Sequence, residues 1–290
     1  MEIVKTPKIS KLLDLKPFEI NQKEKNEVFK DAMQESLKHH YENSIEFKQI
    51  CDNKEFDFKG NFQLEEIPYI PVSIFKKFEL TSIPKENIFK TIFSSATTSK
   101  TPSKIFLDRI TSERQTKVLV SIINDFLHEK MDFLILDSKE TISSSDNIKS
   151  RASAIRRFLP FMKSIKFTLN EDLKINNLEL KQSENKTQYC FFGFTWLIYQ
   201  VIKENENNKE VKNNLSKLKL PFILHLGGWK KLADVNVSRE EFYREISEFF
   251  NTEKDKIIDI YGMTEQLGTC LLYTSDAADD SLRVDLGGRR

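Results

Sequence analysis

The chain has 290 residues, of which 39% are hydrophobic and 31% charged, and its formal net charge is +1. A charge balance of this kind gives no overall field that would attract nucleic acid or an anionic membrane surface. Three cysteines (Cys51, Cys190 and Cys270) and four histidines form neither a disulfide framework nor a zinc-ligand spacing. The sequence has no apolar leader and no run of about 18 apolar residues, so we expect a cytoplasmic protein without membrane insertion.

The first predicted element is a helix over Asn21–Tyr41. Asn21 and Glu24 are a capping pair, and the apolar residues fall on one stripe, namely Val28, Phe29, Ala32, Met33, Leu37 and Tyr41. Next, Ile67–Phe78 contains two prolines, which exclude a regular helix, and several aromatic residues, which exclude a solvated linker. We expect a buried, irregular segment that packs in the core or lines a hydrophobic substrate cavity.

A hydroxyl-rich loop, Ser94–Lys104, lies between two β-type runs, Ile88–Phe93 and Ile105–Leu107. The loop contains seven hydroxyl side chains and two lysines, Lys100 and Lys104. Hydroxyl, ammonium and backbone N–H groups that converge on one point are suited to bind an anion such as phosphate. The Gly-x4-Gly-Lys spacing of a P-loop is absent, however, and taken alone the loop is more typical of a polar surface turn than of an anion site.

Strands and helices alternate from about residue 88 onward. The predicted helices are Thr111–Leu127, Ile148–Met162, Thr195–Lys203 and one opened by a capping box at Ser238–Glu241, with Phe242, Ile246, Phe249 and Phe250 inside. The predicted strands are Phe133–Asp137, Tyr189–Gly193, Pro221–Leu226 and Ile257–Ile260. The polar stretch Glu204–Lys219 is predicted to be a solvated helix end and loop. The alternation predicts an α/β fold with a largely parallel sheet, which binds ligands beyond the carboxyl ends of its strands.

A second motif, Tyr261-Gly262-Met263-Thr264-Glu265, follows the last predicted strand directly. Its carboxylate is the type of ligand that Mg²⁺ takes in proteins together with substrate phosphates. The hydroxyl loop offers donors for phosphate, and this motif supplies a metal ligand. Together the two stretches predict a site for ATP and Mg²⁺.

These motifs resemble those of the adenylate-forming superfamily, which includes acyl- and aryl-CoA synthetases and luciferases. The segment Ser95–Lys104 follows the family's phosphate loop, Ser-Gly-Thr-Thr-Gly-x-Pro-Lys, with one inserted residue. Tyr261, Gly262, Thr264 and Glu265 match the family's Tyr-Gly-x-Thr-Glu signature. Between them, Gly227-Gly228 stands where the family has a Gly-Gly turn against the adenine.

Within the superfamily the chain is most similar to the LuxE-type acyl-protein synthetases. This resemblance covers about residues 60–269 and rests on several short segments in addition to the loop. They are Ile67–Val72 with Phe75-Lys76, Leu107-Asp108-Arg109 with Gln115, and Gly227–Lys231. The resemblance implies ATP-dependent activation of a long-chain fatty acid as acyl-adenylate and transfer to a protein cysteine, with a partner of the acyl-CoA reductase type.

The resemblance also implies a fold and a set of site residues. The fold would be the large N-terminal α/β domain of adenylate-forming enzymes, with mostly parallel sheets flanked by helices and incomplete at its C-terminus. Thr264, Glu265 and Lys104 would be catalytic, and Glu265 would also hold Mg²⁺. The residues that bind ATP would be Ser94, Ser95, Thr97, Thr98, Ser99, Lys100, Gly227, Gly228, Tyr261 and Gly262.

The sequence departs from the family in its loop and at its end. Ala96 and Ser99 replace two loop glycines, which costs about 1 kcal/mol wherever a positive φ is needed. We expect residues 1–60 to be a helical segment of one domain, 61–269 its α/β core, and 270–290 a non-native tail of adapter origin. The family's C-terminal lysine and acceptor cysteine would then lie beyond the fragment. Two alternatives remain open, an acyl- or aryl-CoA ligase and a non-catalytic nucleotide- or acyl-binding relative.

Overall fold

The computed structural model describes residues 6–16, 20–94, 101–127, 129–143, 150–183, 188–227, 237–262, 264–267 and 270–272. These residues fold into two compact units. The first unit contains the described residues up to 126 together with 264–267, and the second contains 127–262 and 270–272. The short turn at 264–267 therefore belongs to the first unit, although the strand that precedes it in sequence belongs to the second.

Three helices open the first unit, α1 (Pro7–Leu13), α2 (Gln22–Asn43) and α3 (Ile45–Asn53). The Asn21 side chain accepts a hydrogen bond of 3.0 Å from the Glu24 N–H. This bond satisfies one of the amide donors that a helix N-terminus leaves without a partner. The predicted cap and start of α2 are therefore confirmed.

The apolar stripe of α2 is buried in part. Val28, Ala32 and Leu37 are buried, whereas Phe29 is exposed. Leu37 joins a small core cluster in which Tyr41 and Phe47 also pack, and whose other buried members are Phe58 and Phe62. The helix thus covers one side of the first unit with a face narrower than the sequence pattern predicted.

The hydroxyl loop connects two antiparallel strands. After the short helix α4 (Ile74–Lys77), strands β1 (Lys90–Phe93) and β2 (Lys104–Leu107) pair with each other, and helix α5 (Arg109–Leu127) follows. The Asp108 carboxylate caps α5 by accepting a 2.7 Å hydrogen bond from the Thr111 N–H. These two strands form a separate sheet. The α/β alternation therefore starts at α5 and β3, later than residue 88, where we predicted it.

The segment Ile67–Phe78 lies at the surface of the first unit, so the prediction that it is buried is wrong. Pro68 is buried, but Tyr69 is 77% exposed and Val72 and Phe78 are also exposed. The prolines prevent the backbone from pairing regularly, so the segment runs across the surface with the Tyr69 and Phe78 rings exposed. The Lys54 ammonium lies 5.5 Å from the centroid of the Tyr69 ring.

The second unit is built on a six-stranded sheet with the order β4-β3-β5-β6-β7-β8. Five strands are parallel, and β8 is antiparallel to β7. The strands are β3 (Met131–Ser138), β4 (Met162–Leu169), β5 (Gln188–Phe194), β6 (Lys219–Leu226), β7 (Ile257–Tyr261) and β8 (Cys270–Leu272). The predicted α/β class and largely parallel sheet are confirmed.

Helices connect these strands, as parallel pairing requires. They are α6 (Glu140–Ser143), α7 (Ser150–Phe158), α8 (Asn177–Gln182), α9 (Thr195–Asn205), α10 (Lys209–Ser216) and α11 (Arg239–Phe250). The Ser238 hydroxyl accepts a 3.1 Å hydrogen bond from the Glu241 N–H and so caps α11. All four predicted inner residues of α11 are buried, namely Phe242, Ile246, Phe249 and Phe250.

The central strands have fully buried apolar side chains, as is typical of a parallel sheet covered on both faces. Phe133, Ile135, Phe192 and Ile223 have no exposed surface. A methyl group placed on Gly193 of β5 would lie 2.9 Å from a side-chain carbon of Ile198. The absence of a side chain at this glycine therefore allows α9 to pack closely on the sheet.

Two elements differ from the sequence prediction. Strand β4 was not predicted, and the stretch expected to be a solvated loop contains helix α10, in which Val211, Asn214 and Leu215 are buried. The Asn208 side chain caps α10 by accepting a 3.2 Å hydrogen bond from the Val211 N–H. No helix in the part of the chain that the structure describes is both long and apolar enough to cross a membrane.

Candidate nucleotide-binding site

The base of the hydroxyl loop is closed by two serines. The Ser94 N–H donates to the Ser103 carbonyl oxygen at 3.1 Å, and the Ser94 hydroxyl accepts from the Ser103 N–H at 2.9 Å. Ser103 is buried, and its own hydroxyl has no hydrogen-bond partner among the described residues. The other predicted phosphate ligands of the loop, Ser95, Thr97, Thr98, Ser99 and Lys100, lie outside the described residues, as does Ala96.

Lys104, predicted to be catalytic, forms an ion pair at the start of β2. Its ammonium donates to the Glu79 carboxylate at 2.8 Å, and both side chains are largely exposed. The hydrogen bond and the charge of Lys104 lower the pKa of Glu79. Exposed pairs of this type contribute little to stability, so the lysine can exchange its partner for a phosphate at small cost.

The second motif forms a turn that is held by helix α5. Thr264 and Glu265 are half-buried within this turn. The Gln115 side chain of α5 donates a 3.1 Å hydrogen bond to the Leu267 carbonyl oxygen. Leu267 has a φ of 61°, which is unusual for a residue with a branched side chain. The Gln115 contact therefore fixes a strained turn that carries two of the three predicted catalytic side chains, Thr264 and Glu265.

The Glu265 carboxylate has neither a hydrogen bond nor an ion pair to any part of the chain that the structure describes. In the same described residues, no three His, Cys, Asp or Glu side chains lie close enough together to hold a metal alone. Mg²⁺ usually takes one or two protein carboxylates and completes its shell with water and substrate phosphates. A single half-buried carboxylate therefore fits a magnesium ion that arrives with ATP.

The first glycine of the predicted Gly-Gly turn, which follows β6, has a left-handed backbone conformation. Gly227 has a φ of 80°, and a methyl group on it would lie 4.0 Å from the Phe194 ring. A side chain at this position would therefore meet no close neighbour, but the positive φ of Gly227 favours glycine over other residues. Gly228 lies outside the described residues.

Tyr261 ends strand β7, where it pairs with Cys270 of β8, and exposed Gly262 follows. Met263 lies outside the described residues, as do 273–290, so the predicted tail is described only in its first three residues. Gly227, Tyr261 and Gly262 belong to the second unit, and Ser94, Lys104, Thr264 and Glu265 to the first. The structure thus places four predicted site residues in one unit and three in the other.

Three polar residues near the carboxyl ends of β5, β6 and β7, namely Thr195, His225 and Asp259, were not predicted as site residues from the sequence. His225 in β6 is buried, and its Nδ1 lies 3.0 Å from the Thr195 hydroxyl and 3.7 Å from an Asp259 carboxylate oxygen. The signal was present, because His225 and Asp259 each interrupt an apolar strand, and the two are register partners. Their pairing depends on strand neighbours, which the sequence does not give.

The two cysteines with described side chains are unsuited to accept an acyl group. Cys51 and Cys190 are buried. Burial raises the pKa of the Cys190 thiol well above its ordinary value, and burial followed by the charge of Asp52 raises the pKa of Cys51. Because the thiolate is the nucleophile, both residues are inert packing groups.

The fold is that of adenylate-forming ligases. A 2-hydroxyisobutyryl-CoA ligase in the postadenylation state, in complex with 2-HIB-AMP, matches with a TM-score of 0.60 at 13% identity, over 88% of this chain and 54% of its own. The open conformation of this ligase, in complex with 2-HIB-AMP and CoA, matches with a TM-score of 0.57 at 13% identity, over 88% of this chain and 60% of its own.

Two curated relatives have the same name, long-chain-fatty-acid–luciferin-component ligase. The protein from Aliivibrio fischeri is 25% identical over 93% of this chain and 71% of its own length. The protein from Vibrio harveyi is 24% identical over 83% of this chain and 63% of its own length. This chain therefore spans about two thirds of the length of these relatives and a little over half of the solved ligases.

The family model for acyl-protein synthetase, LuxE, matches residues 1–284. The chain belongs to this acyl-protein synthetase family. The resemblance inferred from the loop, the glycine turn and the Tyr-Gly-Met-Thr-Glu motif is confirmed, and so is the prediction of a ligase family.

Proposed function

We propose that the chain forms the nucleotide- and acyl-binding part of an enzyme that activates a long-chain fatty acid with ATP and passes the acyl group to a protein thiol. The observation that carries this proposal is the turn at 264–267. It presents Thr264 and Glu265 from the compact unit that also contains both ends of the hydroxyl loop. Family membership and the two named ligases support the same reaction.

In the proposed reaction a carboxylate oxygen of the fatty acid attacks the α-phosphorus of ATP. The bond from that phosphorus to the bridging oxygen breaks, and pyrophosphate leaves with the electron pair. The loop hydroxyls of Ser95, Thr97 and Thr98 and the ammonium of Lys100 would hold the β- and γ-phosphates. Lys104 would join them by leaving Glu79, because an ammonium binds a flexible polyphosphate without fixed geometry.

Thr264 would contact the α-phosphate, and Glu265 would hold Mg²⁺. When bound, the metal neutralises the negative charge that develops on pyrophosphate as it departs. The Gln115 hydrogen bond keeps the turn in place before the nucleotide arrives, so less ordering is needed on binding. Gly227, Gly228, Tyr261 and Gly262 would surround the adenine beyond the ends of β6 and β7.

The exposed apolar segment around Tyr69 is proposed as part of the acyl site. Its aromatic rings and Val72 offer an apolar surface that would gain from contact with a hydrocarbon chain. The acceptor thiol is proposed to lie outside Cys51 and Cys190, because both are buried. A reductase of the acyl-CoA reductase type is the proposed partner, and the cytoplasm is the proposed location.

The test is exchange of labelled pyrophosphate into ATP, driven by fatty acids of increasing chain length, in a homologous chain that also contains the C-terminal lysine of the family. We expect exchange with long-chain acids in the presence of Mg²⁺. Glu265→Gln should reduce it at least about 100-fold, the range seen when one group that stabilises transition-state charge is removed. Glu248→Gln, which changes an exposed carboxylate on α11, is the matched control and should leave exchange unchanged.

Two outcomes decide between the proposed functions, and a third tests the role of Glu265. If no acid supports exchange although ATP binds, the chain is a non-catalytic nucleotide-binding relative. If exchange occurs and labelled acyl groups pass to coenzyme A in preference to a protein thiol, the chain is a coenzyme A ligase. Unchanged exchange in Glu265→Gln would remove the magnesium role of this residue.

A further inference from the structure

The ends of three neighbouring strands are linked by a buried polar network that the proposed reaction does not use. His225 lies in β6, is 2% exposed, and has Leu224 and Leu226 on either side in sequence. Its ring meets the rings of Phe242 and Tyr243 from α11 edge-on, with centroids 5.5 and 5.7 Å apart. An imidazole enclosed in this way has a fixed orientation.

The hydrogen bonds define which nitrogen of His225 carries the proton. The Thr195 hydroxyl is 3.0 Å from His225 Nδ1 and donates to the Leu226 carbonyl oxygen at 3.3 Å. A hydroxyl has one proton, so when it donates to this carbonyl oxygen it accepts from Nδ1, which is then the protonated nitrogen. The Asp259 carboxylate, 3.7 Å from Nδ1, favours the same tautomer. Nε2 is then an acceptor, and it has no partner among the described residues.

The charged and titratable groups around His225 come from two elements, β7 and α11. Asp259 faces it from β7, and Arg239 and Tyr243 face it from α11, where Arg239 donates a 2.8 Å hydrogen bond to the Tyr243 hydroxyl. Burial lowers the pKa of His225, the Asp259 charge raises it, and the Arg239 charge lowers it, with a net lowering. Burial raises the pKa of Tyr243 to about 12. Both rings are therefore neutral at pH 7.

The network lies directly before the two turns assigned to the adenine. His225 precedes Gly227 by two residues, and its register partner Asp259 precedes Tyr261 by two residues. Thr195 follows the last residue of β5 and binds the carbonyl oxygen of Leu226, the residue immediately before Gly227. A shift of the imidazole would therefore move the start of the glycine turn.

We propose that His225 is a positioning residue, held by Thr195 and Asp259 as the Nδ1-protonated neutral tautomer, which fixes the backbone at Gly227 and at Tyr261 and so sets the affinity for the nucleotide. This proposal rests on the proposed function, because it assigns those two residues to the adenine. His225 acts through the backbone and does not touch the substrate. Protonation at Nε2 would bury a cationic donor beside Arg239 and loosen the network.

The test combines nucleotide titration calorimetry with nitrogen-15 spectra of the histidine rings, using Mg²⁺·ATP and the whole chain. In the wild type we expect His225 to show a protonated Nδ1 and an unprotonated Nε2, unchanged from pH 8 to below the ordinary histidine pKa of 6.5. Thr195→Val should move the Nδ1 signal and weaken ATP binding about five- to tenfold, the effect of losing one hydrogen bond. Thr195→Ser, which keeps the hydroxyl, should bind as the wild type does.

Asp259→Asn provides a second perturbation that keeps the side-chain shape. Like Thr195→Val, it should weaken ATP binding, and it should allow the Nε2-protonated tautomer to appear. If Thr195→Val and Asp259→Asn change the His225 spectrum but bind ATP as tightly as the wild type, the positioning role is overturned. If the wild type does not bind ATP, the proposed function itself is wrong. If the wild-type spectrum shows a protonated Nε2, the assigned tautomer is wrong, whatever the affinity for ATP.

Discussion

At the scale of single residues, ionisable side chains inside the sheet of the second unit are held by specific partners. Asp137 near the end of β3 has no exposed surface. One of its oxygens accepts from the Thr141 hydroxyl at 2.7 Å and from the Ser138 N–H at 2.8 Å, and lies 3.3 Å from the Arg151 guanidinium. Burial raises the pKa of Asp137, while Thr141, Arg151 and Ser138 each lower it, with a net rise.

The Asp137–Arg151 pair leads to a prediction about stability and pH. A carboxyl group with a raised pKa in the folded state stabilises the fold fully below its ordinary pKa of 3.8, and this contribution is lost as pH rises through the raised value. Arg151→Met removes the cation and leaves a buried charge, so we expect a loss of about 3 kcal/mol in unfolding free energy at pH 7. Urea unfolding between pH 4 and 7 measures both effects.

Two matched variants separate the charge from the packing. Lys163→Met changes an exposed cation on β4 and should alter the unfolding free energy by less than about 0.5 kcal/mol. Adding Asp137→Asn to Arg151→Met should recover part of the lost unfolding free energy. It should also reduce the decrease of the unfolding free energy with rising pH. A double variant that keeps the full pH dependence would show that another group is responsible.

The buried ion pair of Asp137 and Arg151 could be predicted from the sequence only in part. Asp137 was visible as a carboxylate that ends an apolar strand, at the edge where ligands bind in parallel sheets. Its partner Arg151 could not be recognised, because it lies in a later helix and no periodicity connects the two residues. The same holds for His225 and Asp259, which meet through strand pairing.

At the scale of elements, helix α5 holds the turn that carries Thr264 and Glu265. The contact joins residues that are 152 positions apart, through the Gln115 amide and the Leu267 carbonyl oxygen. Asp108, at the start of the same helix, caps it. The helix therefore connects the end of the hydroxyl-loop hairpin, which precedes it directly, with the turn of the second motif.

We predict that Gln115→Ala loosens this turn and weakens binding of Mg²⁺·ATP. Loss of the hydrogen bond should cost about 1 kcal/mol and speed amide hydrogen exchange at 264–267. Exchange measured by mass spectrometry, together with titration calorimetry, checks both effects. Thr116→Ala removes a hydroxyl that bonds within α5 to the Ser112 carbonyl oxygen, and it is the control. Equal exchange in the two variants would contradict the anchoring role.

Elements with a strong pattern were predicted well, and those at sheet edges or with polar composition were not. The capped helix α11 and the apolar strands β3, β5, β6 and β7 have clear signals. Strand β4 lies at the edge of the sheet and carries Lys163 and Lys166, as edge strands often do, which hides the strand pattern. Helix α10 buries Val211 and Leu215 from an Asn- and Lys-rich stretch, so composition alone predicted a loop.

At the scale of the whole molecule, the chain belongs to an acyl-protein synthetase family and has the fold of adenylate-forming ligases. The fold class could be predicted because alternating strands and helices permit few topologies. The position of the turn that carries Thr264 and Glu265 could not be predicted, because the chain passes from one compact unit to the other between residues 262 and 264. The central claim is that one chain binds both a nucleotide and a fatty acyl group.

The measurement that tests this claim most directly is calorimetric titration with a long-chain acyl sulfamoyladenosine, a stable analogue of the acyl-adenylate. Because the analogue joins both ligands, it avoids the entropic cost of binding them separately. We predict that it binds at least about 100-fold more tightly than AMP or the free fatty acid, and that ATP displaces it. Binding no tighter than that of AMP alone, or no displacement by ATP, would contradict the account.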